Sequence, residues 1–341
     1  MNTMSSSVIM EGYNSRKRRY IITVSLLGVI VFLLAGFMMM YGKTIYSPVD
    51  IFKILFSDGS AAGSFTVKTL RLPRMLAAVL CGFAFGAAGN VFQKLLGNPL
   101  ASPDIIGVSS GASVAAIFGI LIFRLDGTVV SLIAVLCGIV VSALIYIIAN
   151  GNGYSDSKLI LTGIGMNAFL NAIISWLLLK ASEYDVASAL RWMSGSLNNV
   201  TLDQIPKLAI VVIGASIAIA VLAGHLKVME LGDSYATVLG VRLSAVRISL
   251  IVLAVLMIAF ATAVTGPIAA VAFLSGPIAS RLSGSGHGNM LPSGLVGASL
   301  VLASDMVGQY AFPSRYPVGI ITGILGAPYL IFLLFKMNKR G

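Results

Sequence analysis

Uninterrupted apolar length limits what this chain can become more than any other feature. Tyr20 to Tyr41 carries no charge, and about 20 apolar residues of helix cross a bilayer core. The pattern recurs at Met75–Phe92, Ile105–Phe123, Thr128–Ile148, Leu159–Leu179, Leu208–Gly224 and Tyr316–Phe335, and at Leu291 to about Tyr310 with Asp305 inside. Ile248–Ser280 is uncharged but too long for one span, and "TGPIAA" (265–270) divides it. The runs are continuous rather than alternating, which predicts helices and not barrel strands. The expected fold class is an all-α polytopic membrane protein of about ten transmembrane helices. Helices two to five and seven to ten have similar lengths and breaker placement, as an inverted repeat would.

Only 10% of the residues are charged, against about 25% in soluble domains. Most of the surface therefore faces lipid. The first run is too long for a signal-peptide core and has no small-residue cleavage site after it, so it reads as a retained helix. "RKRR" (16–19) and "KMNKR" (336–340) place both termini in the cytoplasm under the positive-inside rule. Residues 1–19 then form a basic tail, 20–336 the membrane domain and 337–341 a second tail. The net charge of +11 belongs to these tails at a membrane surface rather than to nucleic acid.

No catalytic or metal-binding set stands out. His225 and His287 are far apart, and Cys81 and Cys137 fall in predicted spans without CxxC spacing, as small packing residues do. "GFMMMYGKT" (36–44) has one residue too many between its glycines for a phosphate-binding loop. "GFAFGAAG" (82–89), "GVSSGAS" (107–113) and "TGIGMNA" (162–168) read as close helix contacts.

Four polar features interrupt the apolar pattern. "RLPR" (71–74) puts Arg71 and Arg74 on one face of a helix, either snorkelling or docking an acidic partner outside. "GNPLASPD" (97–104) predicts a stiff cytoplasmic hairpin, with Asn98, Pro99 and Leu100 as a candidate gate and Asp104 as the cap of the next helix. Asp305 lies inside an apolar run, where an acid either pairs structurally or lines a path. "MELGDSYATVLG" (229–240) reads as a short helix, a Gly turn, a second short helix capped by Asp233, and a Gly stop. Leu231, Ala236, Val238 and Leu239 there are more apolar than a solvated loop needs. A small knob of this kind suits a cleft on a cytoplasmic protein.

Taken with "LRWMSGSLNNVT" (190–201), "TGPIAAVAFLSGPIASRLSG" (265–284) and "YPVGIITGILGAPYLIFLL" (316–334), these stretches resemble the permeases of ABC importers for iron–siderophores, haem and cobalamin. "WLLLKAS" (176–182), "SGSLNN" (194–199) and Gln309 look most like the ferric enterobactin type. The resemblance implies a cobalamin-importer-like permease fold that binds no cofactor itself and is not an enzyme. It implies a homologous second permease, two ATPase subunits that use the ATP, and an extracytoplasmic siderophore-binding protein. Arg71 and Arg74 are implied to meet acids of that protein, and Asn98–Leu100 to sit at the cytoplasmic gate. Glu230, Leu231, Gly232, Asp233, Ala236, Leu239 and Gly240, within a coupling segment 229–241, are implied to contact the ATPase. The chain departs from the family pattern at Gly276-Pro277, Gln309 and Arg315, and Arg315 is the candidate for a third docking point.

Overall fold

The structure is a computed structural model describing residues 2–56, 63–125, 127–151, 154–284 and 288–338. His287 and residues 339–341 of the C-terminal tail lie outside the described residues. All regular elements among the described residues are helical: α1 (Asn2–Met40), α2 (Pro48–Phe56), α3 (Leu72–Leu95), α4 (Val108–Leu121), α5 (Gly127–Asn150), α6 (Asp156–Lys180) and α7 (Glu183–Met193), then α8 (Gln204–Met229), α9 (Asp233–Val238), α10 (Leu243–Thr265), α11 (Val271–Ser283), α12 (Met290–Tyr310) and α13 (Val318–Asn338).

Seven of these are long and apolar enough to cross a membrane: α1, α3 with the turn before it, α5, α6, α8, α10 and α12. Of the other three expected spans, α13 runs 21 residues, and α4 and α11 are shorter helices with visible causes. α4 starts only after a 3-10 turn at 103–106 and Gly107, whose φ is +72°. α11 has 13 residues because the chain after Thr265 runs non-helically through Gly266, with Ala270 at φ +70°. Two connections between the apolar runs also contain helices. α2 lies within 42–70, and α7 within 180–206.

α3 is the central helix, packed against α12, α10, α11 and α8. Its glycines make this fit. A Cβ on Gly82 would meet the backbone of Gly297 and Ala298, one on Gly86 the Ser293 carbonyl, and one on Gly89 the Ala272 carbonyl. Small residues on one face let backbones touch where lipid offers no hydrophobic drive between helices. The outer helices show the opposite pattern: Phe32 and Leu33 of α1, Leu161 and Leu179 of α6, and Ile210 and Val221 of α8 are all exposed.

Pro277 sits inside α11. It has no N–H, so the Phe273 carbonyl loses its helical partner. Gln93 of α3 replaces it, donating from Nε2 at 3.0 Å. A helix break thereby becomes a tie between α11 and α3.

Candidate coupling and docking sites at the two ends

One end of the bundle gathers the hairpin and the Gly-punctuated segment. α8 continues through Met229, so "MEL" is the end of a long helix and not a short one. The chain turns at Gly232 (φ +104°), forms α9, and turns again at Gly240 (φ +83°). Both backbones are in a region that suits glycine. Ala236 is buried beneath α9. Leu231, Tyr235, Val238 and Leu239 are exposed, Val238 at 85%. The segment is therefore an apolar projection.

Charged pairs brace its base. Glu230 accepts Lys94 Nζ at 2.5 Å, which ties the segment to the end of α3. Asp233 does not cap α9, as the sequence predicts. Gly232 is the N-cap, and the Asp233 carboxylate accepts Arg247 of α10 at 2.9 and 3.0 Å. A guanidinium within reach gives the carboxylate a donor that is itself charged, where a helix cap offers only backbone N–H groups.

The hairpin follows α3 directly. The Asn98 side chain accepts the Leu100 N–H at 2.9 Å and its carbonyl the Ala101 N–H at 3.0 Å. This turn exposes Asn98 and Pro99 and half-buries Leu100. Asp104, predicted to cap α4, instead accepts Ser102 and Ser109 hydroxyls at 3.0 and 2.6 Å, while Gly107 takes the cap position. Asn167 of α6 donates to the Asp104 carbonyl at 2.8 Å and accepts the Ser110 hydroxyl. Gly163 of α6 lies against the Ile105 carbonyl, with no room for a Cβ. The hairpin is locked to α6 as well as to α3.

The opposite end holds the arginines, and here the structure departs from the expected outward pair. Arg71 closes a π-helical turn, Phe65–Arg71, and runs on in helical backbone into α3, yet the two side chains take different partners. The Arg71 guanidinium donates to the Met39, Met40 and Thr44 carbonyls at 2.7, 3.0 and 2.6 Å and stacks on Tyr46. It caps the C-terminus of α1, where the dipole favours a cation. Arg74 turns inward to Asp305 of α12, at 2.8 Å from Nε and 2.7 Å from a terminal nitrogen, and also donates to Asn198 at 2.6 Å. Gln309 donates to the same carboxylate at 2.6 Å. Asp305 is 1% exposed, and its carboxylate is fully paired. Arg315, in the α12–α13 connection, is exposed.

Lys94, Arg247 and Asn198 carry these contacts and went unnoticed in the sequence. For Lys94 and Arg247 the available signal was a charge at the very end of an apolar run.

The sequence and the fold have counterparts among known proteins. Residues 22–336 match the FecCD transport family. The chain belongs to that family. Over 300 residues it is 38% identical to the ferric enterobactin transport system permease protein FepG of Escherichia coli K12, covering 88% of this chain and 91% of that protein. It is 33% identical over 338 residues to the probable siderophore transport system permease protein YfhA of Bacillus subtilis 168, covering 95% and 97%. A solved structure described as an inward-facing metal-chelate type ABC transporter superposes with TM-score 0.80 at 26% identity, covering 93% of this chain and 99% of that one. This FecCD-family chain is thus a multi-pass membrane permease, a transport subunit rather than an enzyme.

Proposed function

We propose that the chain is the membrane-spanning permease of an ABC importer that carries ferric siderophore across the cytoplasmic membrane. It works beside a homologous second permease, with two cytoplasmic ATPase subunits that use the ATP and an extracytoplasmic siderophore-binding protein. This chain binds no cofactor of its own. The observation that carries the reading is α9: an apolar surface at the tip of a polar loop, braced at its base by Lys94–Glu230 and Arg247–Asp233. Tyr235, Val238 and Leu239 project from a polar loop, as residues that a partner protein or a membrane surface covers do. The relatives' named substrates support the siderophore.

The α9 end is cytoplasmic in this reading. Arg19 of the basic 16–19 run lies at the same end, donating to the C-terminal carbonyls of α11, Arg281 and Leu282, at 2.5 and 2.8 Å. The binding protein then docks at the far end. Arg71 and Arg74 hold that rim in shape, and Arg315 is the exposed guanidinium among the three. The Asn98–Leu100 hairpin forms the inner gate through its locks on α3 and α6.

Reconstitution in proteoliposomes tests the proposal. With a homologous permease, the ATPase and the binding protein, ferric siderophore enters only when ATP is present on the ATPase side. Uptake by this chain alone under a proton gradient overturns the ABC reading. ATP-driven haem or cobalamin uptake without siderophore uptake overturns the substrate.

A further inference from the structure

Arg247 lies in the second turn of α10 and is 6% exposed. Its terminal nitrogen holds both oxygens of Asp233 on α9. Its Cζ stands 3.9 Å from the centroid of the Tyr154 ring. Tyr154 belongs to the α5–α6 connection, two positions before α6 begins at Asp156. One side chain of α10 therefore touches both α9 and the α5–α6 connection, which lie far apart in sequence.

The physics of the group makes this a stiff contact. Guanidinium is planar, remains charged and is weakly hydrated, so it tolerates burial against a ring face while its edge binds a carboxylate. A buried charge without partners is strongly unfavourable, so the guanidinium, buried while the Asp233 carboxylate is 58% exposed, favours arrangements that keep Asp233 and Tyr154 against it. The polar capacity around it is also incomplete. Arg247 Nε, the Tyr154 hydroxyl and one Asp156 oxygen are buried without a hydrogen-bond partner. Burial and the neighbouring Asp156 push the Tyr154 phenol up.

We infer that Arg247 is a positioning residue that joins α9 mechanically to the start of α6 through Tyr154. The inference rests on the reading that α9 receives the ATPase. A displacement of α9 pulls Asp233, the guanidinium carries the pull to the Tyr154 ring, and the first turn of α6 moves with it. α6 in turn holds the hairpin through Asn167. The route runs from the ATPase face to the inner gate and does not need the length of α10.

Spin labels test the joint without any ATPase. The full chain in nanodiscs carries Val238→Cys on α9 and Ser157→Cys at the start of α6, with Cys81→Ala and Cys137→Ala. The inter-label distance distribution is narrow in this background and stays narrow with Tyr154→Phe, which keeps the ring. It broadens with Arg247→Met and with Tyr154→Leu. Leu250→Ala, a core change elsewhere on α10, lowers thermal stability without broadening it. An unchanged width in Arg247→Met, or equal broadening in Leu250→Ala, overturns the inference.

A second arm uses the reconstituted importer. ATP hydrolysed per substrate moved rises about tenfold in Arg247→Met, equivalent to losing about 1.4 kcal/mol of coupling, and is unchanged in Leu250→Ala. An unchanged ratio in Arg247→Met overturns the inference. If the unsubstituted chain recruits no ATPase, the ABC reading falls, and the distance measurement still decides whether the joint exists.

Discussion

Asp305 shows how much of this protein is decided one side chain at a time. Its carboxylate takes three hydrogen bonds from Arg74 and Gln309 while 1% exposed. Removing one member of such a pair strands the other, at about 3–5 kcal/mol, whereas replacing both with apolar groups is often neutral. Asp305→Asn should therefore lower thermal stability in detergent sharply, and Arg74→Met with Asp305→Leu should restore most of it. The α3 glycines give a second contrast. Gly89→Ala drives a methyl into the Ala272 carbonyl and should cost about 1–3 kcal/mol by overpacking, while Gly214→Ala meets nothing within 4 Å and should be neutral or stabilising. Comparing the two melting temperatures checks this. The glycine face was legible because small residues at helical spacing have few other uses in a membrane. The partner of Arg74 was not, because Asp305 lies far away in sequence.

At the scale of elements, the long helices followed from hydropathy and the short ones did not. α2 and α7 have 9 and 11 residues, below any spanning length. Yet each opens with a capping box that the sequence displays as S-x-x-D. Ser47 Oγ accepts the Asp50 N–H at 3.2 Å, and Ser182 Oγ accepts the Asp185 N–H at 3.3 Å. Those boxes were the missed signal. α9 was legible from its flanking glycines, which the structure places at positive φ. Gly232→Val with Gly240→Val should misdirect α9, since left-handed backbone costs a side chain about 1–2 kcal/mol at each position. The chain should still insert, and ATP hydrolysis should uncouple from uptake. Val238→Asp is the milder test. It leaves the core untouched and should weaken ATPase binding about tenfold or more in a pull-down titration, as loss of a modest hot spot does. Unaltered binding would count against the coupling role.

Across the whole molecule, the two polar ends define opposite faces of a membrane. Cysteines at Val238 and Arg315 should react with an impermeant thiol reagent from opposite sides of oriented vesicles, Val238→Cys from the side of the termini. Labelling from the same side would remove the proposed orientation. The all-helical, many-span plan was determined by sequence alone, because a bilayer core admits continuous apolar runs only as internally hydrogen-bonded helices. The Gly-flanked projection was equally determined, since glycine positions control backbone turns locally. Tertiary structure alone decided what the charges do. Arg71 caps α1, Arg74 grips Asp305, Lys94 holds Glu230, and Arg247 links Asp233 with Tyr154. Most of these pairs join distant segments, and all depend on how each helix is rotated and how deep it sits against its neighbours. Hydropathy records that a residue is charged within an apolar run, but the identity of its partner is set by that packing.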